Sequence, residues 1–167
     1  VDVTQPEVQT GPWLESAAAP MHAAKWQFHS HVDFVQTVEP GTTRVTPGGV
    51  LHGDDLVNEF AMTGDLVGSW FFIGKYRLDT KNGQGGSIPN PALMVITSSA
   101  LGSGAFECRG HAKIQNYPTD DFLQYGVITG CKGTGDFDGK KMKLYLSNEN
   151  DPGLFANSTY DAWGEIW

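Results

Sequence analysis

The chain has 167 residues, a length that suits one domain burying roughly two thirds of its unfolded surface. Apolar residues make up 40% of it, and 21 glycines and 9 prolines punctuate it, which fits many short strands joined by tight turns. The formal charge of −8, with Lys and Arg scattered apart from Lys140, Lys141 and Lys143, argues against a nucleic-acid partner, and no run of 18 apolar residues exists to span a bilayer.

Residues 1–24 follow neither a helical nor a strand period and are broken by Pro6, Pro12 and Pro20. They read as an N-terminal arm or strap, with at most a helical turn over residues 15–19, leaving residues 25–167 as a single β-barrel domain. The start at Val1 without a methionine fits either a trimmed chain or one freed of a signal peptide. The single sequon Asn157-Ser158-Thr159 tilts the expectation toward secretion over the cytoplasm.

Alternation begins at residue 25 and runs to 38, with Trp26, Phe28, Ser30, Val32 and Phe34 on one face and Gln27, His29, His31 and Asp33 on the other. Pro40-Gly41 and Pro47-Gly48-Gly49 then mark turns, and residues 54–63 are a candidate short helix. Residues 66–79 form a long strand whose heavier face is Trp70, Phe72, Gly74, Tyr76 and Leu78; residues 81–91 read as a Gly-rich loop. Strands are expected over 92–98, 104–115 and 122–130, the last two forming a hairpin about Tyr117-Pro118-Thr119-Asp120, then over 141–147 and 158–167. Long strands interrupted by glycine are what strong coiling and closure require, so seven or eight of them with no long helix predict an antiparallel barrel in preference to a sandwich.

The stretch Val127-Ile-Thr-Gly-Cys-Lys-Gly-Thr-Gly-Asp-Phe-Asp-Gly139 joins two of these strands through glycines at fixed spacing around one phenylalanine. This Gly-x-Gly-x-Phe-x-Gly block after an apolar strand resembles the late-strand signature of the allene oxide cyclase and dirigent barrels. Weaker support comes from Gly64-Asp-Leu-Val-Gly-Ser-Trp70 and Gly102-Ser-Gly104-Ala-Phe106, so the likeness spans residues 64–167. It implies a closed antiparallel eight-stranded β-barrel around an apolar cavity, of a kind in which reactive unsaturated molecules are cyclised or coupled in natural-product biosynthesis. The chain departs from the pattern after the block, at Lys140-Lys141-Met142. No motif matches the carboxylate of the cyclases or the Asp, Arg and Tyr set of dirigent proteins, so the resemblance implies no particular substrate or reaction.

Among chemistry-bearing residues, His29-Ser-His31-Val-Asp33 puts two imidazoles and a carboxylate on one strand face about 7 Å apart, a spacing from which a metal can be gripped; a plain polar strand face is the competing reading. Gly41-x5-Pro47-x-Gly49-x2-His52, with His29-x-His31-x4-Gln36, approaches the two cupin motifs and would imply a metal-dependent enzyme using His29, His31 and His52. The two halves nearly abut, whereas cupins separate them by strands, so no metal or organic cofactor is expected. Along residues 106–113, Glu107, Arg109, His111 and Lys113 share one face and Phe106, Cys108, Gly110 and Ala112 the other. If the charged face lines the barrel, Arg109 binds a carboxylate or enolate oxygen and Glu107 exchanges protons; if it faces out, it is an ion-pair ladder.

The expected activity is that of a cofactor-independent cyclase or isomerase acting on a hydrophobic unsaturated small molecule in the cavity, by folding it into a reactive shape. Arg109, Glu107 and Tyr125 are the catalytic candidates, and Trp70, Tyr145, Trp163, His29 and His31 the substrate-binding ones. The alternative is a secreted barrel that binds such a ligand without converting it; a homo-oligomer is compatible with either. Cys108 and Cys131 are the only cysteines. A hairpin centred between Thr119 and Asp120 pairs residues whose numbers sum to 239 and sets the two thiols opposite each other, as a disulfide or as two buried thiols.

Overall fold

The computed structural model describes residues 24–150, 152 and 159–167. The expected arm, apart from Ala24, and most of the sequon lie outside the described residues. The chain forms nine strands: β1 (Trp26–Glu39), β2 (Thr42–Val45), β3 (Val50–Gly64), β4 (Val67–Asp79), β5 (Gln84–Ser98), β6 (Gly104–Gln115), β7 (Leu123–Gly135), β8 (Met142–Ser147) and β9 (Thr159–Ile166). Each strand pairs antiparallel with its neighbours in the order β1-β9-β8-β7-β6-β5-β4-β3, and β1 pairs again with β3. Eight strands therefore close into a barrel, and β2 lies outside the ring on the edge of β3.

Two expectations are corrected. Residues 54–63 are not a helix but the second half of β3, where Leu56, Asn58 and Met62 are buried at strand spacing. Pairing of β3 with both β1 and β4 outweighs the local helical preference of so short a segment. The Gly-rich stretch 81–91 is a turn only as far as residue 83. From Gln84 it is strand, because a Cβ at Gly85 would sit 1.9 Å from the Arg77 carbonyl oxygen, so glycine is what lets β5 lie against β4 there.

The barrel is filled from both ends. Phe28, Met62, Leu66, Ile96, Phe106, Phe137, Met142 and Ile166 belong to the larger cluster, and Leu78, Ile114 and Phe122 close the other end. The glycine block builds the first plug. β7 ends at Gly135 (φ +66°), the turn closes with Lys140 N–H donating to the Phe137 carbonyl at 2.9 Å, and Phe137 is fully buried with its ring 4.8 Å from that of Phe106. A Cβ at Gly133 would lie 2.0 Å from the same carbonyl oxygen, which accounts for the glycine two residues before β7 ends.

Cys108 and Cys131 form a disulfide between β6 and β7. Next to the turn the pairs sum to 238, as in Gln115 with Leu123, and past Arg109 with Thr129 they sum to 239, as in Glu107 with Lys132. Gly130, with φ +61°, is the extra residue of the β-bulge that makes this shift and brings the two sulfurs together.

Candidate functional site

Between the two apolar plugs lies a cavity of about 50 Å³, room for a few waters. β1, β3, β4 and β8 supply Val32, Leu56, Phe60, Trp70, Phe72 and Leu146 to its wall. Its polar side chains are Asn58, Tyr76, Ser87, Gln124 and Tyr160, and no lining residue is charged. Tyr160 donates its hydroxyl proton to Gln124 Oε1 at 2.9 Å, and Gln124 Nε2 donates to Ser87 Oγ at 2.9 Å, so one polar chain crosses from β9 through β7 to β5. Asn58 Oδ1 accepts from Thr37 Oγ1 at 2.9 Å. Trp70 is 3% exposed, and its buried indole N–H has no hydrogen-bond partner among the described residues. A buried donor without an acceptor costs on the order of 1–3 kcal/mol.

β5 is irregular beside Ser87, one of the lining residues of the cavity. Pairing of β5 with β6 jumps from Ser87–Ala112 to Ala92–Cys108, and the intervening Ile88-Pro89-Asn90-Pro91 includes two prolines that cannot donate to a ladder. An open groove of about 310 Å³ lies over this break, bordered by Lys75, Tyr76, Arg77, Gly86, Ser87, Ile88 and Ala112. Tyr76 and Ser87 border both the groove and the cavity. Burial, with the Tyr117 phenol nearby, pushes the Tyr76 hydroxyl above its ordinary value, so it remains a neutral donor and acceptor through the physiological range.

Of the residues expected to bind or convert a substrate, Trp70 lines this cavity. Glu107, Arg109 and His111 are exposed on the outer face of β6, while Phe106 and Cys108 fill the interior. Glu107 stands opposite Lys132, and Arg109 opposite Thr129. Tyr125 shares that outer face, opposite Lys113 and Ser147, and its hydroxyl accepts from Gln115 Nε2 at 3.4 Å. Tyr145 and Trp163 face each other across β8 and β9, also outside, with rings 6.5 Å apart. Burial first, then the Glu149 carboxylate, raises the Tyr145 hydroxyl above its ordinary value.

His29 and His31 lie outside as well, and they meet Asp161 rather than Asp33. His29 Nε2 and His31 Nδ1 each stand 2.9 Å from Asp161 Oδ1, whereas Asp33 Oδ1 accepts from Thr159 Oγ1. The three are the metal-compatible cluster among the described residues. His52 cannot join them: His31 pairs with Thr63, eleven residues along β3 from His52, or roughly 36 Å of strand. The cupin arrangement is thereby ruled out, because His52 lies too far from His29 and His31 to share an ion with them.

Asn58, Ser87, Gln124, Tyr160 and Asp161 were not among the expected site residues. Strand alternation places Tyr160 inward and Asp161 outward once β9 is recognised, and treating residues 54–63 as helix hid the inward position of Asn58. Which residue of β9 would meet His31 depends on a pairing between strands more than a hundred residues apart, which no local pattern encodes.

No family model matches this chain, and no curated protein or solved structure matches it. No described helix is long and apolar enough to cross a membrane. The fold alone therefore defines the class: a closed eight-stranded antiparallel barrel with a ninth strand outside the ring.

Proposed function

We propose that this barrel binds a small hydrophobic molecule carrying a hydrogen-bond acceptor. Its apolar part lies in the cavity, its acceptor meets the Trp70 indole N–H, and the remainder extends past Tyr76 and Ser87 into the groove. The observation that carries this reading is the buried Trp70 N–H, which has no partner among the described residues and belongs to a ring that lines the cavity. Size supports the extension: the cavity alone is too small for a molecule that typically needs roughly 300 Å³ or more, and the adjoining groove supplies that space. The Cys108–Cys131 disulfide favours an oxidising compartment, in keeping with a secreted carrier.

Cofactor-independent cyclisation or isomerisation of an unsaturated ligand is the second reading, and the likeness of the Gly133 to Gly139 block to allene oxide cyclase and dirigent barrels favours it. The acid, base or oxyanion contacts would then come from Tyr160, Gln124 and Ser87, since Arg109, Glu107 and Tyr125 face away from the cavity. One experiment addresses both readings: displacement of an environment-sensitive apolar dye by a panel of unsaturated fatty acids and matched hydrocarbons, followed by chromatography of the recovered ligand. Trp70→Phe keeps the apolar wall and removes the donor, so it is expected to weaken the acids about tenfold and leave the hydrocarbons unchanged. Equal effects on both, or no displaceable dye, defeat the binding reading; recovery of every ligand unaltered defeats the catalytic one.

A further inference from the structure

We infer that His29, His31 and Asp161 form a binding site for a divalent first-row transition metal ion on the outer wall of the barrel, where β1 meets β9. The site is separate from the cavity and does not depend on the reading given to it. Two neutral imidazoles and one carboxylate are a donor set suited to zinc, copper or nickel and poorly suited to calcium or magnesium, which require several oxygens.

Strand register explains how the three converge. His31 lies directly opposite Asp161, so its near nitrogen, Nδ1, reaches the carboxylate. His29 lies opposite Trp163 and thus diagonal to Asp161, so it reaches with its far nitrogen, Nε2. Both meet the same oxygen at 2.9 Å, and the three ligand atoms all lie within 4.8 Å of one another. Donors about 2.1 Å from a zinc ion stand roughly 3.4 Å apart in a tetrahedron, so an ion needs only small ring rotations to enter among them.

The surroundings hold these groups as outer-shell partners hold metal ligands. Asn150 Nδ2 donates to Asp161 Oδ2 at 2.9 Å, which leaves Oδ1 turned toward the two rings. The His29 ring stacks on Trp163 at 5.0 Å with an interplanar angle of 3°, and its backbone N–H donates to Asp65 Oδ2 at 2.8 Å. Asp161 is buried while the imidazoles are 44% and 53% exposed, so the carboxylate is anchored and the rings are open to an arriving ion. The net charge of −8 favours cation approach. An ion here would clip β1 to β9, the strands from the two ends of the barrel sequence.

The test is calorimetric titration of the purified whole protein with Zn²⁺ at about 0.15 M salt, together with imidazole NMR of the same protein. One ion per chain is expected. Zn²⁺ should shift the His29 and His31 resonances while leaving those of His52 and His111 in place, and raise the Tm; Ca²⁺ should do none of this. His31→Gln and His29→Gln are each expected to weaken Zn²⁺ at least tenfold, and His111→Gln to leave it unchanged. The NMR arm needs no variant, so a variant that fails to fold leaves the test intact. Absence of saturable Zn²⁺ binding, or binding that leaves the His29 and His31 resonances unmoved, overturns the site and makes the cluster a hydrogen-bonded tie.

Discussion

His52 shows how neighbours on adjacent strands set the chemistry of one residue. It stands opposite Arg44 on β2 and Arg77 on β4, with the Arg44 guanidinium 3.4 Å from its Nδ1. Loss of solvent and then these two positive charges hold its imidazole below the ordinary value, against an opposing pull from Asp54. A histidine with a lowered folded value favours the folded state while neutral. That contribution is complete above about pH 6.5 and is lost as the pH falls through the lowered value. Imidazole NMR should therefore find His52 titrating below about 6.5, and Arg44→Gln or added salt should move it up. Titration at or above 6.5, or no response to Arg44→Gln, contradicts this account. In the sequence the same histidine suggested a cupin ligand. Its glycine and proline neighbours instead build the turns around β2, with Gly41 at φ +66° and Gly49 at φ +86°.

At the scale of the element, alternation was legible and direction was partly so. Trp26 to Phe34 and Trp70 to Leu78 share faces as their spacing required, and those faces point inward because they carry most of the bulk. On β6 both faces alternate equally well, and the interior went to Phe106 and Cys108 because Glu107, Arg109 and Lys113 inside an apolar barrel would lose hydration without partners. The cysteine pairing was also legible, although the hairpin alone sums to 238 and would set Cys108 against Gly130; the bulge at Gly130 supplies the missing residue. The bridge spans a separation of 23 residues, and a crosslink closing a loop of that length stabilises by about 3 kcal/mol in the chain-entropy view. The Cys108→Ser, Cys131→Ser double variant should lose about that much in urea unfolding, and the native chain should yield no labelled thiol when denatured without reductant. Two freely alkylated thiols in the denatured, unreduced chain would refute the bridge.

At the scale of the whole molecule, closure is the property that local sequence conveys least. Strand number and length argued for a barrel, but the seam joins β1 to β9 and to β3, so β1 must find partners at both ends of the chain. The β1–β3 ladder ends at Ser30 with Gly64, and side chains then carry the seam into the β3–β4 turn. Ser30 Oγ accepts from the Leu66 N–H at 2.9 Å and donates to the Leu66 carbonyl at 3.2 Å, while the Asp65 N–H donates to the His29 carbonyl at 3.0 Å. Gly64, with φ +106°, makes the approach possible, since a Cβ there would lie 2.8 Å from that carbonyl oxygen. Ser30 and Leu66 are both about 1% exposed, so no water is at hand to replace the hydroxyl. Ser30→Ala therefore leaves a buried donor and a buried acceptor without Oγ, and is expected to cost about 2 kcal/mol in urea unfolding with an unchanged m-value. Exchange of the Leu66 amide hydrogen should accelerate beyond what the global loss accounts for, because the opening is local to the seam. A stability loss under about 0.5 kcal/mol with unaltered Leu66 exchange would mean that the backbone ladder alone closes the barrel and that the hydroxyl is incidental to it.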